Sequence, residues 1–173
     1  MILPRNPIDI IKAIKYRLTS TGRDCKTYSI PYFKGFKGTV VETEPGSYEI
    51  KGTFERVHST KIKITEIPIG YDLSSYLKVL DRLEDDGKIK YYTDMSSDES
   101  FCFEVHLQRA DLETLTDDEI MQMFKLIKRV TENYTCIDED NKIREFKSID
   151  EVLDACGKAR IQAYAERKVR LLS

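Results

Sequence analysis

The sequence has no tryptophan and only a few histidines and cysteines. These residues are His58 and His106, and Cys25, Cys102, Cys136 and Cys156. No two cysteines form a C-x-x-C pair, and the six side chains do not cluster as the ligands of a structural zinc site would. The same spacing gives no disulfide framework, so we expect four reduced, buried thiols and no bound metal.

Long apolar runs are also missing. The longest cover only a few residues, which excludes a membrane-spanning helix, and Met1–Arg5 lacks the apolar core of a secretory signal. The sequence contains neither a glycine loop of the Walker or dinucleotide type nor a G-x-S-x-G elbow. We therefore expect a cytoplasmic protein with no membrane partner and no cofactor bound by this chain.

The sequence also has no excess of positive charge. The chain has 28 Lys and Arg against 30 Asp and Glu, a net charge of −2, whereas a protein that binds DNA over its whole surface is usually basic. The charge is uneven, because residues 1–63 hold twelve basic and six acidic side chains and residues 94–154 are acidic. Any DNA contact must therefore use a local patch, although ordinary surfaces show the same asymmetry.

Local patterns predict an α+β fold. Asn6-Pro7 is typical of a helix start, and apolar spacing continues that helix to about Ser20. Period-two alternation then predicts three strands, joined by short turns into one antiparallel meander. These strands are Thr39–Glu44, Ser47–Arg56 and Lys61–Ile67.

The rest of the chain alternates helices with strands. Asp72 can cap a helix that ends at Gly87, and capping boxes beginning at Thr116 and Ser148 start two more helices. The helix after Ser148 continues to the end of the chain, with Gly157 as its one weak position. The further predicted strands are Ile89–Thr93, Phe101–Leu107, Tyr134–Asp138 and Lys142–Phe146.

The segment Pro31–Gly38 places two lysines among aromatic residues and two glycines. Glycine permits close approach to a phosphate backbone and lysine supplies charge, so the segment can contact DNA. It can equally be a glycine-rich entry to a strand whose aromatic residues pack inward. Composition alone leaves both interpretations open.

Nothing in the sequence predicts a catalytic residue. Ten tyrosines are present, but a tyrosine nucleophile needs a positioned arginine and metal-bound carboxylates beside its hydroxyl. Packing accounts more simply for the tyrosines that have basic neighbours, which are Tyr91, Tyr92 and Tyr164.

Several segments, in one collinear order, resemble motifs of the type IIA DNA topoisomerases, in particular the gyrase A-like subunits of T-even bacteriophages and the eukaryotic enzymes. Pro31–Gly38 resembles P-W-[YF]-[KR]-G-[WF]-x-G, with Tyr32 in place of the usual Trp. Ile64–Pro68 is similar to I-T-E-L-P, and Tyr48–Arg56 resembles Y-x-x-x-G-x-[IF]-E-R. Ser148–Leu172 resembles the family's S-x-x-E-I-L…R-L-x-x-Y-x-x-R-K-x-x-L helix.

The resemblance implies an architecture. We expect an antiparallel sheet with packed helices, the tower domain, over residues 1–147. Residues 148–173 then form a long C-terminal helix that begins a coiled coil. The resemblance also implies that the chain is a piece of a longer protein whose Arg-Tyr pair, metal-binding module and ATPase lie outside it.

The function implied is support of the gate DNA in an ATP-dependent type II topoisomerase, an isomerase that passes one duplex through another. The expected partners are double-stranded DNA, an ATPase and metal-binding subunit, and a second copy of the same subunit. The parent enzyme is expected to need ATP and Mg²⁺, in the host cytoplasm if the source is a bacteriophage.

For DNA binding, the sequence points to Lys34 and Lys37 as the centre of a patch. Four further residues on the adjoining strands extend it if they share an outward face: Lys51, Arg56, Lys61 and Lys63. The alternative is a stand-alone α+β binding or scaffold module with a dimerising C-terminal helix.

Overall fold

The computed structural model describes residues 2–19, 26–97, 100–138 and 140–172. Within these ranges the chain has an α+β fold with antiparallel pairing and a long C-terminal helix, as predicted. The helices are α1 (Pro7–Thr19), α2 (Leu73–Asp85), α3 (Arg109–Thr114), α4 (Asp117–Met123) and α5 (Ile149–Leu172). The strands are β1 (Thr39–Glu44), β2 (Ser47–Lys51), β3 (Thr53–His58), β4 (Lys61–Glu66), β5 (Tyr91–Asp94), β6 (Phe103–His106), β7 (Ile127–Thr131), β8 (Tyr134–Ile137) and β9 (Ile143–Phe146).

The chain divides into two compact units. Unit 1 combines residues 1–33 with residues 131–173, and unit 2 is the continuous segment 34–130. The division between a tower domain and a coiled-coil helix after residue 147 stays a prediction.

Unit 2 contains two sheets. One has the strand order β1-β2-β7, and the other is antiparallel with the order β3-β4-β6-β5. In β4 the side chains alternate as predicted, because Ile62 and Ile64 are fully buried while Lys61 and Lys63 are partly exposed. The inward residues meet the helices in one core. Its buried members are Ile62, Ile64, Ile67, Tyr76, Leu80, Leu83, Ile89, Phe103, Val105, Leu107, Leu112, Ile120, Phe124 and Leu126.

The predicted three-stranded meander is wrong. The predicted strand from Ser47 to Arg56 is two strands, β2 and β3, which belong to different sheets. The chain changes sheets at Gly52, whose N–H donates to the carbonyl oxygen of Leu126 at 2.8 Å. A Cβ at this position would lie 2.4 Å from the carbonyl oxygen of Glu66, so only glycine allows the two backbones to approach this closely.

In unit 2 the sequence predicted the starts of helices better than it predicted the strands. The predicted caps are present, since Asp72 accepts from Ser75 N–H and Thr116 accepts from Glu119 N–H. Two elements, α3 and β7, were not predicted. Helix α4 ends at Met123, and two residues later Lys125 adopts a left-handed conformation with φ 50° before β7 begins.

Unit 1 joins α1, a short 3₁₀ helix (Lys26–Ser29), the β8-β9 hairpin and α5. The start of α1 is capped as predicted, by the Asn6 side chain accepting from Ile8 N–H at 3.0 Å. A small core holds the unit together through Ala13, Tyr28, Ile149 and Leu153.

A polar cluster in unit 1 fastens α1 to the root of α5. Arg17 forms salt bridges with Asp150 and Asp154, and the Tyr28 hydroxyl donates to Asp150 at 2.6 Å. Elsewhere in the unit, Arg5 pairs with the fully buried side chain of Glu132 at 2.5 Å. The buried Arg5–Glu132 pair adds little net stability, because the cost of desolvating both charges offsets their attraction.

The cysteines are more exposed than predicted. Cys102 and Cys136 are partly exposed and Cys156 is exposed on α5, and all three are free thiols. Cys25 and the predicted helix end at Ser20 lie outside the described residues. Across the described ranges, no three metal-ligating side chains come together and no helix has both the length and the apolar composition to cross a membrane.

The crossing at Gly52 leads to a stability prediction. Gly52→Ala places a methyl group against the carbonyl oxygen of Glu66 and against Leu126, which lies 3.1 Å away. We expect the free energy of unfolding, measured by urea denaturation, to fall by about 1–3 kcal/mol because the backbones must separate.

Gly157→Ala in α5 is the matched control, since nothing lies within 4 Å of its Cβ position. It should raise stability by about 0.5–1 kcal/mol through helix propensity. Unchanged stability in Gly52→Ala would show that the close approach is not needed.

The end of α5 leads to a second prediction. Among its described residues only Ile149 and Leu153 are buried, and every described side chain from residue 160 onward is exposed. A helix without packing partners depends on marginal intrinsic propensity. Hydrogen exchange should therefore show the turns at 166–172 opening much faster than β4, and equal protection in a monomeric sample would contradict this.

Candidate nucleic-acid interface

A short basic loop, Lys34–Gly38, leads into β1. Both of its lysine side chains are exposed, and no salt bridge within the described residues uses either of them. Gly35 has a φ of 83°, a left-handed conformation that residues with a Cβ rarely adopt. The loop is thus a tight turn that exposes two lysine ammonium groups, neither of which forms a salt bridge within the described residues.

Contacts with neighbouring strands fix the end of this basic loop. The Lys37 N–H donates to Glu66 Oε2 at 3.1 Å. A Cβ on Gly38 would lie 2.1 Å from the carbonyl oxygen of Lys51 and 2.4 Å from Phe36 Cζ, so the backbone lies directly against the end of β2. The structure therefore places the backbone that follows Lys37 beside the backbone of Lys51.

Lys51 shares a carboxylate with an arginine that sequence reasoning missed. Glu49 lies 3.3 Å from Lys51 Nζ and 2.9 Å from Arg129 Nε. Hydrogen bonds from Arg129 first, and then from Lys51, lower the pKa of Glu49. Arg129 stands on β7 with an 84% exposed side chain. The available signal for that strand was its β-branched residues, Ile127, Val130 and Thr131, although they do not alternate with period two.

Lys61 and Lys63 lie on the outer face of the other sheet, beside acidic residues. Lys61 Nζ forms a 2.9 Å salt bridge with Glu104, which lowers the pKa of that carboxyl group chiefly through the hydrogen bond. Lys63 is in register with Glu55 on one side and Glu104 on the other. This face is thus close to neutral, and DNA contact by the two lysines stays a prediction.

Arg56 does not share that outward face. It is paired in register with Ile62, which points into the core, and its guanidinium reaches the segment between α3 and α4. Its Nε donates to Asp117 at 2.9 Å, and its terminal nitrogens donate to the carbonyl oxygens of Leu112 and Leu115 at 2.9 and 2.7 Å. These bonds tie the helices to β3, so the structure gives Arg56 a packing role.

The tyrosines with resolved pKa shifts, Tyr28, Tyr76 and Tyr92, all have a raised pKa. Burial raises the pKa of Tyr76, whose hydroxyl donates to the Phe124 carbonyl oxygen at 2.9 Å. Burial and a hydrogen bond to Asp81 raise the pKa of Tyr92 to about 12. Tyr28 has an arginine partner, Arg17, yet it is 1% exposed and burial raises its pKa as well. These shifts favour the neutral phenol, whereas a lowered pKa is what activates a nucleophile.

Comparison with known proteins shows similarity along almost the whole chain. The family model for the A subunit of DNA gyrase/topoisomerase IV matches residues 1–173. The mitochondrial DNA topoisomerase 2 of Dictyostelium discoideum is 35% identical over 170 residues, which cover 96% of this chain and 13% of that protein. The DNA topoisomerase medium subunit of Enterobacteria phage T4 is 31% identical over 173 residues, which cover 97% of this chain and 38% of that phage protein.

A solved structure has the same fold. The crystal structure of the Plasmodium falciparum topoisomerase II DNA-binding, cleavage and re-ligation domain aligns with a TM-score of 0.88 and 28% identity, covering 98% of this chain and 23% of that one. The chain thus spans well under half the length of the relatives it matches. Its full-length match to the family model and its agreement in fold show that this chain belongs to the family of DNA gyrase and topoisomerase IV A subunits.

Proposed function

We propose that this chain is the DNA-supporting part of an ATP-dependent type II DNA topoisomerase. It binds the arms of the gate DNA through their phosphates and does not cut them. The observation that carries this proposal is the basic loop, where the exposed ammonium groups of Lys34 and Lys37 lack an acidic partner in the described structure.

The charge distribution supports a local contact. With a net charge of −2 the chain has no general attraction for DNA, and the lysines of β4 stand beside Glu55 and Glu104. Contacts made by lysine to phosphate add affinity and salt dependence but no base preference. Lys51 and Arg129 share Glu49, and they extend the patch once a phosphate replaces that carboxylate as their partner.

The remaining parts of the reaction are assigned to regions outside this chain. In the parent enzyme, ATP and Mg²⁺ are bound by an ATPase and metal-binding subunit, and a second copy of the present subunit completes the DNA gate. Helix α5 is the start of a coiled coil, which is why so much of its surface is exposed. The proposed location of the parent enzyme is the cytoplasm, which is the host cytoplasm if the source is a bacteriophage.

Charge reversal at the basic loop tests the DNA contact. The unmodified chain should bind duplex DNA weakly, with a Kd of about 10⁻⁴ to 10⁻⁶ M. Lys34→Glu combined with Lys37→Glu should weaken binding equally for all sequences and flatten the salt slope by roughly two units. Fluorescence anisotropy with labelled duplexes over a range of salt concentrations measures both quantities.

A second double variant controls for net charge. Lys88→Glu with Lys90→Glu makes the same charge change at exposed positions next to β5, the edge strand of its sheet. Its salt slope should stay close to that of the unmodified chain. If both double variants lose affinity equally, attraction is set by total charge and the assigned patch is wrong.

The chain alone should change no DNA topology. The motifs that would supply cleavage and ATPase chemistry are absent from the sequence. Incubation with supercoiled plasmid and Mg²⁺ should therefore leave it supercoiled on an agarose gel, alongside a complete type II enzyme as positive control. Reproducible relaxed or linear product from a clean preparation would overturn this expectation.

A further inference from the structure

Glu66 is a carboxylate in an unusual position. It continues the inward alternation of β4 after Ile62 and Ile64, and it is only 8% exposed. Burying a charged group costs free energy unless hydrogen bonds compensate. The polar contact that the structure shows for this carboxylate is with the basic loop, through the Lys37 N–H at 3.1 Å.

Two adjacent anchors therefore hold the end of the loop. The first is the bond from the Lys37 backbone to Glu66, which is stronger than a neutral hydrogen bond because the acceptor is charged. The second is the close packing of Gly38 against the carbonyl oxygen of Lys51. These two contacts hold the backbone on both sides of the Lys37 Cα, which limits the directions in which its side chain can leave the loop.

Electrostatics alone predicts that Glu66 weakens DNA binding. A negative charge beneath a phosphate-binding loop repels DNA, so its removal should tighten binding. The geometry gives it a favourable role, because a loop that is already ordered loses less conformational entropy when DNA binds. The two roles predict changes of opposite sign in DNA affinity.

We propose that Glu66 is a positioning residue that holds the basic loop in its DNA-binding conformation through the Lys37 backbone. This inference rests on the proposed function, and it adds a residue that touches no DNA. Loss of the anchor frees about one residue of backbone, which corresponds to a roughly tenfold change in an equilibrium constant.

Four variants of the chain test the proposal. Glu66→Ala removes the acceptor and the charge. Glu66→Gln keeps an acceptor oxygen and removes the charge, whereas Glu66→Asp keeps the charge but withdraws it by one methylene. Glu44→Ala is the charge-matched control at an exposed position on β1.

Two measurements are made on each variant. Anisotropy with a labelled duplex gives the DNA affinity, and amide exchange by NMR compares the Lys37 N–H with the Ile64 N–H in the core strand. We expect Glu66→Ala to bind DNA about tenfold more weakly and to expose the Lys37 amide while Ile64 stays protected. Glu66→Gln should keep both the DNA affinity and the protection of the Lys37 amide. Glu44→Ala should bind DNA at least as tightly as the unmodified chain.

The outcomes separate the explanations. If Glu66→Ala binds DNA as tightly as Glu44→Ala, the proposal is wrong. If Glu66→Ala does not fold, as judged by loss of Ile64 protection, the remaining pair decides. Within this pair the proposal requires Glu66→Asp, which keeps the charge but displaces the acceptor, to bind DNA more weakly than the unmodified chain. Affinity equal to or above that of the unmodified chain overturns it.

Failure of the proposed function has a different signature. In that case the Lys34→Glu and Lys37→Glu double variant also leaves DNA affinity unchanged. If the double variant weakens binding while Glu66→Ala does not, the loop binds DNA and only the positioning role is wrong.

Discussion

The close approach of backbones around Gly52 is the constraint on which unit 2 depends. Here the chain leaves one sheet after β2 and enters the other as β3, and the Gly52 N–H is bonded to the carbonyl oxygen of Leu126. The neighbouring carbonyl oxygen of Glu66 leaves no room for a side chain. Because Lys51 immediately precedes this crossing and its own carbonyl oxygen packs on Gly38, the crossing also sets where the basic loop lies.

The electrostatic design follows from that placement. Many basic side chains in unit 2 have a carboxylate beside them, as Lys61 has Glu104 and Arg129 has Glu49. These surface pairs add little stability, but each neutralises the basic group that takes part in it. Lys34 and Lys37 protrude on a turn with no such partner in the described structure. An acidic chain can in this way present a small positive surface to phosphate.

Unit 1 depends less on an apolar core and more on polar contacts than unit 2 does. Its apolar core is small, and polar contacts that link distant parts of the sequence supplement it. Arg17 and Tyr28, from the first part of the chain, meet Asp150 at the root of α5. A helix as exposed as α5 needs a firm base if it is to carry a coiled coil, and this cluster supplies one.

Sequence by itself determined the elements that depend on local interactions. Capping side chains act within three residues, so the starts of α1, α2, α4 and α5 were predicted correctly. Alternation along β4 gave its buried and exposed faces, because a strand has a strict period of two. The collinear motifs gave the family, which the comparisons confirm.

Tertiary structure alone decided which strands share a sheet and which basic side chains are already engaged in contacts within the protein. Gly52 looks like any glycine in a strand, and only its contact with Glu66 and Leu126 shows that the strand divides there. Arg56 and Lys63 read alike in the sequence, yet they lie on opposite faces because their partners in register are Ile62 and Glu55. The contact between Glu66 and Lys37 joins residues 29 positions apart. No local pattern encodes such pairings, since they arise only when separate segments pack against each other.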